Sequence, residues 1–125
     1  MYKTYIPERG EFVHVNWDPS AGKEMQSEHY GLVLSPREFN KQTGLAMVCP
    51  TTSRVSDRDW SFAVILKRGV LPARQGVDVD SAILVDQTKS IDFRERGMKR
   101  VAACPKAVLD EVTERLLAIL DPRAF

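Results

Sequence analysis

Apolar and polar side chains alternate from Phe12 to Trp17, with Val13, Val15 and Trp17 at every second position. This period of two is typical of a half-buried β-strand. The turn-forming residues from Asp18 to Gly22 end that strand. A second strand is predicted from Tyr30 to Leu34, and the loop between the two is long for a hairpin, which favours a functional role.

A short helix is predicted after the second strand. Ser35 is placed as its N-cap, with Pro36 at the first helical position and Glu38 three residues after the cap. Thr43-Gly44 ends this helix, because glycine is favoured at the position directly after the last residue of a helix. The apolar run from Leu45 to Cys49 is then predicted to be a central strand, closed by Pro50.

Shorter elements are predicted in the second half of the chain. Two strands run from Phe62 to Leu66 and from Ala82 to Val85, joined by a turn-rich connection over residues 67–80. A helical turn at Ser90 to Arg94 and a small strand at Val101 to Ala103 follow.

The C-terminal segment is predicted to be a helix that begins at Pro105. Its apolar stripe, interpreted as core or dimer packing, consists of Val108, Val112, Leu116 and Ile119, widened by Leu109, Leu117 and Leu120. Five or six short strands with this helix predict a mainly β protein. The expected architecture is a small, strongly bent antiparallel sheet or barrel, with short helices and the C-terminal helix packed on the sheet.

Length and composition predict one domain over residues 1–125, with 43% hydrophobic and 28% charged residues. The net charge of +1 gives no global field to attract a polyanion, so any binding of nucleic acid must depend on a local patch. The basic residues of one candidate patch, which outnumber the acidic Asp92 and Glu95, are Lys89, Arg94, Arg96, Lys99 and Arg100.

The cysteines and histidines are too few and too widely spaced for a zinc site. Cys49 and Cys104 are far apart and are interpreted as reduced and at least partly buried. No apolar run is long enough to span a membrane, and the N-terminus has no apolar signal core. We therefore expect a cytoplasmic protein that needs neither a metal nor another cofactor.

Three short blocks carry candidate chemistry: residues 18–36, 50–54 and 86–92. They contain a carboxylate (Glu24), an imidazole (His29), a hydroxyl pair (Thr51 and Thr52) and an ammonium group (Lys89). Groups of these types suit acid–base chemistry on a phosphodiester, and none of them requires a metal.

Further short blocks occur in a fixed order along nearly the whole chain: Tyr5-Ile6-Pro7, Gly10-Glu11, Val15, Trp17-Asp18-Pro19, Gly22, Glu24, Val33-Leu34-Ser35-Pro36, Asn40, Thr43-Gly44, Pro50, Thr52, Asp86-Gln87, Lys89-Ser90-Ile91, Arg94 and Arg96-Gly97. In this order and spacing they resemble the MazF/PemK family, the toxin endoribonucleases of type II toxin–antitoxin pairs. The resemblance implies a homodimer of SH3-like, CcdB-like barrels that cuts single-stranded RNA at a short sequence without metal. It also implies 2′,3′-cyclic phosphate and 5′-hydroxyl ends, and inhibition by an antitoxin through its C-terminal segment.

One position departs from the family pattern. Where the family usually has a catalytic arginine followed by proline, this chain has His29 and Tyr30. Histidine titrates near neutral pH and can donate or accept a proton, whereas arginine keeps its proton but grips phosphate with two hydrogen bonds. The enzyme is therefore inactive, slower, or dependent on the imidazole.

Two catalytic assignments stay open. In the first, Glu24 accepts the proton of the ribose 2′-hydroxyl, His29 donates one to the leaving oxygen, and Thr52 hydrogen-bonds the phosphate. In the second, His29 is the base. Candidate RNA-binding residues are Trp17, Lys23, Thr51, Ser53, Arg54, Gln87 and Lys89.

Two tryptophans are candidates for contact with a partner. Trp60, in a charged loop, is a candidate for contact with RNA or antitoxin. Trp17 fits either stacking on bases or burial, because it alternates with two valines.

The alternatives to an endoribonuclease are a catalytically impaired protein that binds RNA or antitoxin, favoured by His29, and a non-enzymatic poison of a protein target like CcdB.

Overall fold

The computed structural model describes residues 5–18, 20–23, 28–55, 62–72 and 79–124. In chain order the elements are β1 (Glu11–Asn16), β2 (Glu28–Val33), α1 (Arg37–Thr43), β3 (Leu45–Thr52), β4 (Ala63–Leu66), β5 (Ser81–Leu84), a 3₁₀ turn (Val85–Gln87), β6 (Lys89–Asp92), β7 (Lys99–Ala103), α2 (Lys106–Leu120) and a second 3₁₀ turn (Pro122–Ala124).

The strands form one antiparallel sheet in the order β4-β5-β3-β2-β1-β7, with β6 paired to β3. This confirms the mainly β fold with a C-terminal helix, although the sheet is not closed and a barrel describes it only approximately. The sheet has seven strands rather than five or six. The helical turn predicted at Ser90 to Arg94 is wrong, because Lys89–Asp92 pairs with β3 as a strand.

Strand β3 is the centre of the sheet and continues through Pro50 to Thr52, so the predicted end at Pro50 is wrong. The Leu34 N–H donates to the Met47 carbonyl at 2.8 Å, so odd-numbered residues of β3 direct their backbone groups toward β2. Pro50 therefore faces the opposite edge. There β6 pairs with residues 45–48 and β5 with 51–52, and no strand pairs with Pro50. A proline is tolerated where the ladder needs no N–H.

Two apolar clusters cover the two faces of the sheet. The first lies between the sheet and α2; its buried members are Phe12, Leu32, Leu34, Cys49, Val64, Leu66, Ile83, Val85 and Val112. The second lies on the other face and consists of Val13, Val15, Trp17, Val33, Ala46, Val48, Ile91, Phe93 and Met98. Burial on both sides explains why the alternation in β1 separates two apolar surroundings rather than core from solvent.

The short helix α1 begins after Pro36 without a side-chain cap, so the assignment of Ser35 as N-cap is wrong. The Ser35 hydroxyl instead donates to Asn40 Oδ1 at 2.5 Å and accepts the Met47 N–H at 2.8 Å. It therefore ties the start of α1 to β3. The predicted end is confirmed, because Gly44 occupies the left-handed region at φ 73°.

The C-terminal helix α2 buries only part of its apolar stripe. Val112 is fully buried, and Val108, Leu109 and Leu116 pack against the first cluster. The residues Leu117, Ile119 and Leu120 remain exposed. No helix in the described part of the chain is long and apolar enough to cross a membrane.

Candidate functional site

The candidate site lies at one end of the sheet, where β1 and β3 finish and β2 begins. Strand pairing sets Val15 opposite His29 and Gly31 opposite Pro50. The Thr51 hydroxyl donates to the Tyr30 carbonyl, so Thr52 and His29 are each next to a residue of this contact. The fold therefore brings two of the residues to which the sequence assigns chemistry to the same end of the sheet.

Trp17 lies beneath the start of β2 and is 1% exposed. Its indole Nε1 donates to the His29 carbonyl at 3.3 Å. The ring also closes over Gly31, where an added Cβ would lie 2.9 Å from Trp17 Cζ2. Trp17 thus supports the backbone of His29, and its burial favours packing over stacking on RNA bases, a role that stays a prediction from the sequence.

The two neighbouring threonines are both buried, Thr52 at 6% exposure, but they make different hydrogen bonds. Thr51 is 3% exposed, and its hydroxyl donates to the Tyr30 carbonyl at 3.1 Å, which locks β3 to β2. The Thr52 oxygen accepts the Arg54 N–H at 3.2 Å. An accepted N–H orients the Thr52 hydroxyl and leaves its proton able to donate elsewhere.

Polar and basic side chains follow the ends of these strands. Ser53 and Arg54 come directly after β3 and are exposed, as is Lys23 in the turn after β1. The predicted carboxylate Glu24 lies outside the described residues, as does Trp60. The described part of the site therefore contains the imidazole, the hydroxyl and nearby cations, while its carboxylate stays a prediction from the sequence.

Lys89 and Gln87 are further from this end of the sheet. Lys89 pairs with Val48, four residues before Thr52 on β3, so the two Cα positions are about 13 Å apart along the strand. Both Lys89 and Thr52 are on the face of the second apolar cluster, since residues at every second position share a face. Lys89 is thus about four residues along the sheet from Thr52, and its role in binding RNA stays a prediction from the sequence. Gln87 is half-buried in the 3₁₀ turn before β6.

An aromatic pair, His14 and Tyr30, lies at the same end of the sheet, on the face opposite to that of His29. His14 pairs with Tyr30 across β1 and β2, and their ring centroids are 5.9 Å apart at an interplanar angle of 73°. Tyr30 was predicted only as the first residue of a strand and as the residue in place of the family proline, and this pair was not predicted. The alternating positions of the two strands were the available signal, but only a known register shows that the two rings meet.

The two cysteines have raised pKa values and lie outside the candidate site. Burial raises the pKa of the Cys49 thiol to about 12 and that of Cys104 to about 11. Both thiols therefore stay protonated and unreactive near neutral pH, and their predicted burial is confirmed. No group of three or more histidine, cysteine, aspartate or glutamate side chains among the described residues is arranged to hold a metal.

A cavity of about 250 Å³ lies far from His29, between α1, β3 and α2. Its lining is mostly apolar and consists of Arg9, Leu34, Ser35, Pro36, Phe39, Met47, Thr113, Leu116 and Leu117. It contains no acid–base pair, and its one charged side chain, Arg9, is bound to the Leu34 carbonyl and the Thr113 hydroxyl at 2.8 Å each. The cavity is therefore separate from the candidate chemistry.

Residues 8–120 match the family model of PemK-like, MazF-like toxins of type II toxin–antitoxin systems. The chain is 39% identical over 114 residues to the endoribonuclease PemK of Escherichia coli, which covers 90% of this chain and 81% of PemK. It is 33% identical over 97 residues to the endoribonuclease toxin MazF of Escherichia coli K12, which covers 78% of each chain.

Solved structures give the same similarity in three dimensions. The fold matches a crystal structure of MazF from Deinococcus radiodurans with a TM-score of 0.74 and 36% identity, over 94% of this chain and 98% of that one. It also matches a MazE–MazF structure from the same organism with a TM-score of 0.71 and 34% identity, over 94% of this chain and 98% of that one.

Proposed function

Because this chain belongs to the PemK-like, MazF-like family of toxins from type II toxin–antitoxin systems, we propose that it is an endoribonuclease that cuts single-stranded RNA at a short sequence without metal. The observation that carries the proposal is the match to toxin endoribonucleases over most of the chain, and the location of His29 and Thr52 at one end of the sheet supports it. Residues 1–125 act as one functional unit in this proposal.

The reaction is an internal transfer. The ribose 2′-oxygen bonds to phosphorus while the bond to the 5′-oxygen breaks, which leaves a 2′,3′-cyclic phosphate and a 5′-hydroxyl. A base takes the proton of the 2′-hydroxyl, and an acid supplies one to the departing 5′-oxygen. Glu24 is the base and protonated His29 the acid; the reverse assignment, with His29 as base, uses the same two side chains. The Thr52 hydroxyl donates to a non-bridging phosphate oxygen.

The hydrogen bonding around Thr52 supports its assigned role. Its oxygen accepts the Arg54 N–H, which directs the hydroxyl proton away from the protein backbone. Arg54 is exposed two residues later, and Lys23 is exposed after β1. These cations compensate in part for the guanidinium that the family pattern has in place of His29.

Partners follow from the family. We propose that an antitoxin inhibits the protein through its C-terminal segment, that the toxin is a homodimer, and that both act in the cytoplasm. MazE–MazF structures among the similar folds support the antitoxin, and the exposed Leu117, Ile119 and Leu120 on α2 support a further protein contact. Light scattering during gel filtration tests the dimer, and a mass equal to one chain contradicts it.

His29 itself favours a second candidate function. A protein that keeps the RNA and antitoxin surfaces but cuts slowly or not at all would retain the fold and Thr52, yet lack the phosphate grip of arginine. The two functions differ in whether the 5′-oxygen is released, not in whether RNA binds. A CcdB-like poison of a protein target would neither bind nor cut RNA.

One experiment separates these functions. Purified toxin, freed of antitoxin, is incubated in EDTA with a long RNA, and the ends are mapped for wild type, Glu24→Ala, His29→Ala and His29→Arg. Cutting with cyclic phosphate ends that is lost in Glu24→Ala supports the proposed enzyme. Binding without cutting, with cutting gained in His29→Arg, supports the second candidate. Neither binding nor cutting overturns both.

A further inference from the structure

The half-exposed rings of His14 and Tyr30 lie beside Lys99 in one line across the sheet. We infer that this His14–Tyr30 row (Lys99, His14 and Tyr30) is a subsite for a nucleotide that flanks the bond to be cut, and that it stacks on the base of that nucleotide. The inference depends on the proposed RNA substrate and adds to it a substrate contact outside the cleavage site.

The register of three strands forms the row. Lys99 on β7 pairs with His14 on β1, and His14 pairs with Tyr30 on β2. Residues directly opposite each other in an antiparallel sheet project from the same face, so the three side chains are neighbours in space. The two rings meet edge to face at 5.9 Å, which fixes their mutual orientation.

Core packing does not account for these rings. Phe12 and Leu32, two residues away on the same strands and the same face, belong to the apolar cluster beneath α2. His14 and Tyr30 lie nearer the strand ends, outside both clusters, and are half-exposed. The helix therefore covers one end of this face and leaves the aromatic pair open to a ligand.

The chemistry of the row fits a nucleotide. Aromatic faces stack on bases of any sequence, and an exposed ammonium group attracts the adjoining phosphate. The Lys99 side chain is exposed and takes part in no ion pair within the described ranges. The Thr51 hydroxyl holds the Tyr30 carbonyl, so the backbone that carries the ring is fixed before any ligand binds.

The location of the row sets which nucleotide it contacts. Tyr30 directly follows His29, and Thr51 directly precedes Thr52, so the row and the proposed cleavage pair are at the same end of the sheet on opposite faces. An RNA strand that passes over this end of the sheet, with the cut bond near His29 and Thr52, places the base of a neighbouring nucleotide on the row. The row is therefore a binding element for a flanking base and not a source of acid or base catalysis.

The test compares two RNAs around a mapped cut site: a minimal oligonucleotide, and the same sequence extended on both sides. We expect Tyr30→Ala to lower kcat/KM about tenfold on the extended RNA and to leave the minimal RNA unaffected, with Tyr30→Phe close to wild type because the ring remains. His14→Ala and Lys99→Ala should weaken binding of the extended RNA in the same direction. Lys41→Ala, on an exposed turn of α1, is the matched control for surface substitution.

Two results with an active enzyme overturn the inference. Equal losses on both RNAs place Tyr30 in the chemistry or the fold, which thermal unfolding of the variants separates. No loss on either RNA removes the row from substrate binding, and if the variants then weaken only the complex with an acidic antitoxin peptide, the row is a protein-docking surface. If wild type cuts nothing, anisotropy with both oligonucleotides still decides: selective loss of the extended RNA in Tyr30→Ala supports the subsite although the proposed enzyme has failed, and equal binding refutes it.

Discussion

The indole N–H of Trp17 donates a hydrogen bond to the carbonyl of His29, across 3.3 Å and beneath the first residues of β2. A buried aromatic ring on β1's extension thus fixes the backbone of the residue proposed to transfer protons. The side chain of His29 projects from the same face of the sheet as Trp17 and stays half-exposed. A fixed backbone and an accessible side chain are what a preorganised acid–base group requires.

The burial of Trp17 predicts how it responds to quenchers. In a Trp60→Phe variant, whose only remaining tryptophan is Trp17, fluorescence should resist iodide and change little on addition of RNA, because the ring is 1% exposed. The measurement is a quenching titration, and the same variant unfolded in denaturant is the control that shows full quenching. Strong iodide quenching of the folded variant would mean that the ring is open to solvent and available for stacking.

Gly31 is predicted to tolerate no side chain. An added Cβ would lie 2.6 Å from Val48 Cγ1 and 2.9 Å from Trp17 Cζ2, so Gly31→Ala should lower the free energy of unfolding by about 1–3 kcal/mol. Urea denaturation measures the loss. The control is Gly31→Ala in a Val48→Ala background, which removes the nearest atom; a penalty of unchanged size there contradicts crowding as the cause.

The pH dependence of cleavage should identify the contribution of His29. A histidine ordinarily titrates near pH 6.5, so one limb of a bell-shaped profile for kcat/KM belongs to this residue under either catalytic assignment. His29→Arg should lose that limb, because arginine stays charged, and His29→Ala should be slower by about 10²–10⁴-fold. His14→Gln should keep the limb. If the profile of His29→Ala keeps it too, another group carries the proton.

Tyr5 should make stability fall in alkaline solution. Burial and a hydrogen bond of 2.6 Å to Glu11 raise the pKa of Tyr5 above its ordinary value near 10. The folded state therefore binds a proton that the unfolded state releases above about pH 10, and the free energy of unfolding decreases from there upward. Below that pH the contribution is fully present.

Tyr5→Phe is the matched variant for this prediction, since it keeps the ring and removes the ionisable hydroxyl. Its unfolding free energy should depend less on pH above 10 than that of wild type, measured by urea denaturation in buffers of rising pH. Ultraviolet titration should show one of the three tyrosines ionising later than the others. Parallel stability curves for the two proteins would remove Tyr5 from the alkaline loss.

Most elements could be predicted from local patterns. The spacing of apolar residues along a strand or helix, and a glycine that ends a helix, depend only on residues close together in the chain. The alternation in β1, the helix end at Gly44 and the helix α2 all follow from residues next to each other in sequence. The errors arose where a distant partner decides. Ser35 hydrogen-bonds to Asn40 and to β3 rather than capping its own helix. Strand β3 continues through Pro50 because the edge that Pro50 faces pairs with β6 before this residue and with β5 after it.

The candidate site divides in the same way. The family blocks predict chemistry for His29 and Thr52, and that role stays a prediction. Sequence spacing alone does not show that the two residues lie at the same end of the sheet, which follows from the antiparallel register of β2 on β3. The pairing of His14 with Tyr30 likewise depends on strand register. A slip of one residue between the two strands would turn one of the rings to the other face of the sheet.

Strand β3 is bonded to β2 on one edge and to β5 and β6 on the other. Freeing it requires the rupture of three ladders together, so its amides should exchange hydrogen only through global opening of the molecule. Thr52 is the last residue of this strand and pairs with Ala82 of β5. If it binds RNA as proposed, substitutions in the loops around it would change the RNA sequence that is cut while the strand keeps the hydroxyl in place.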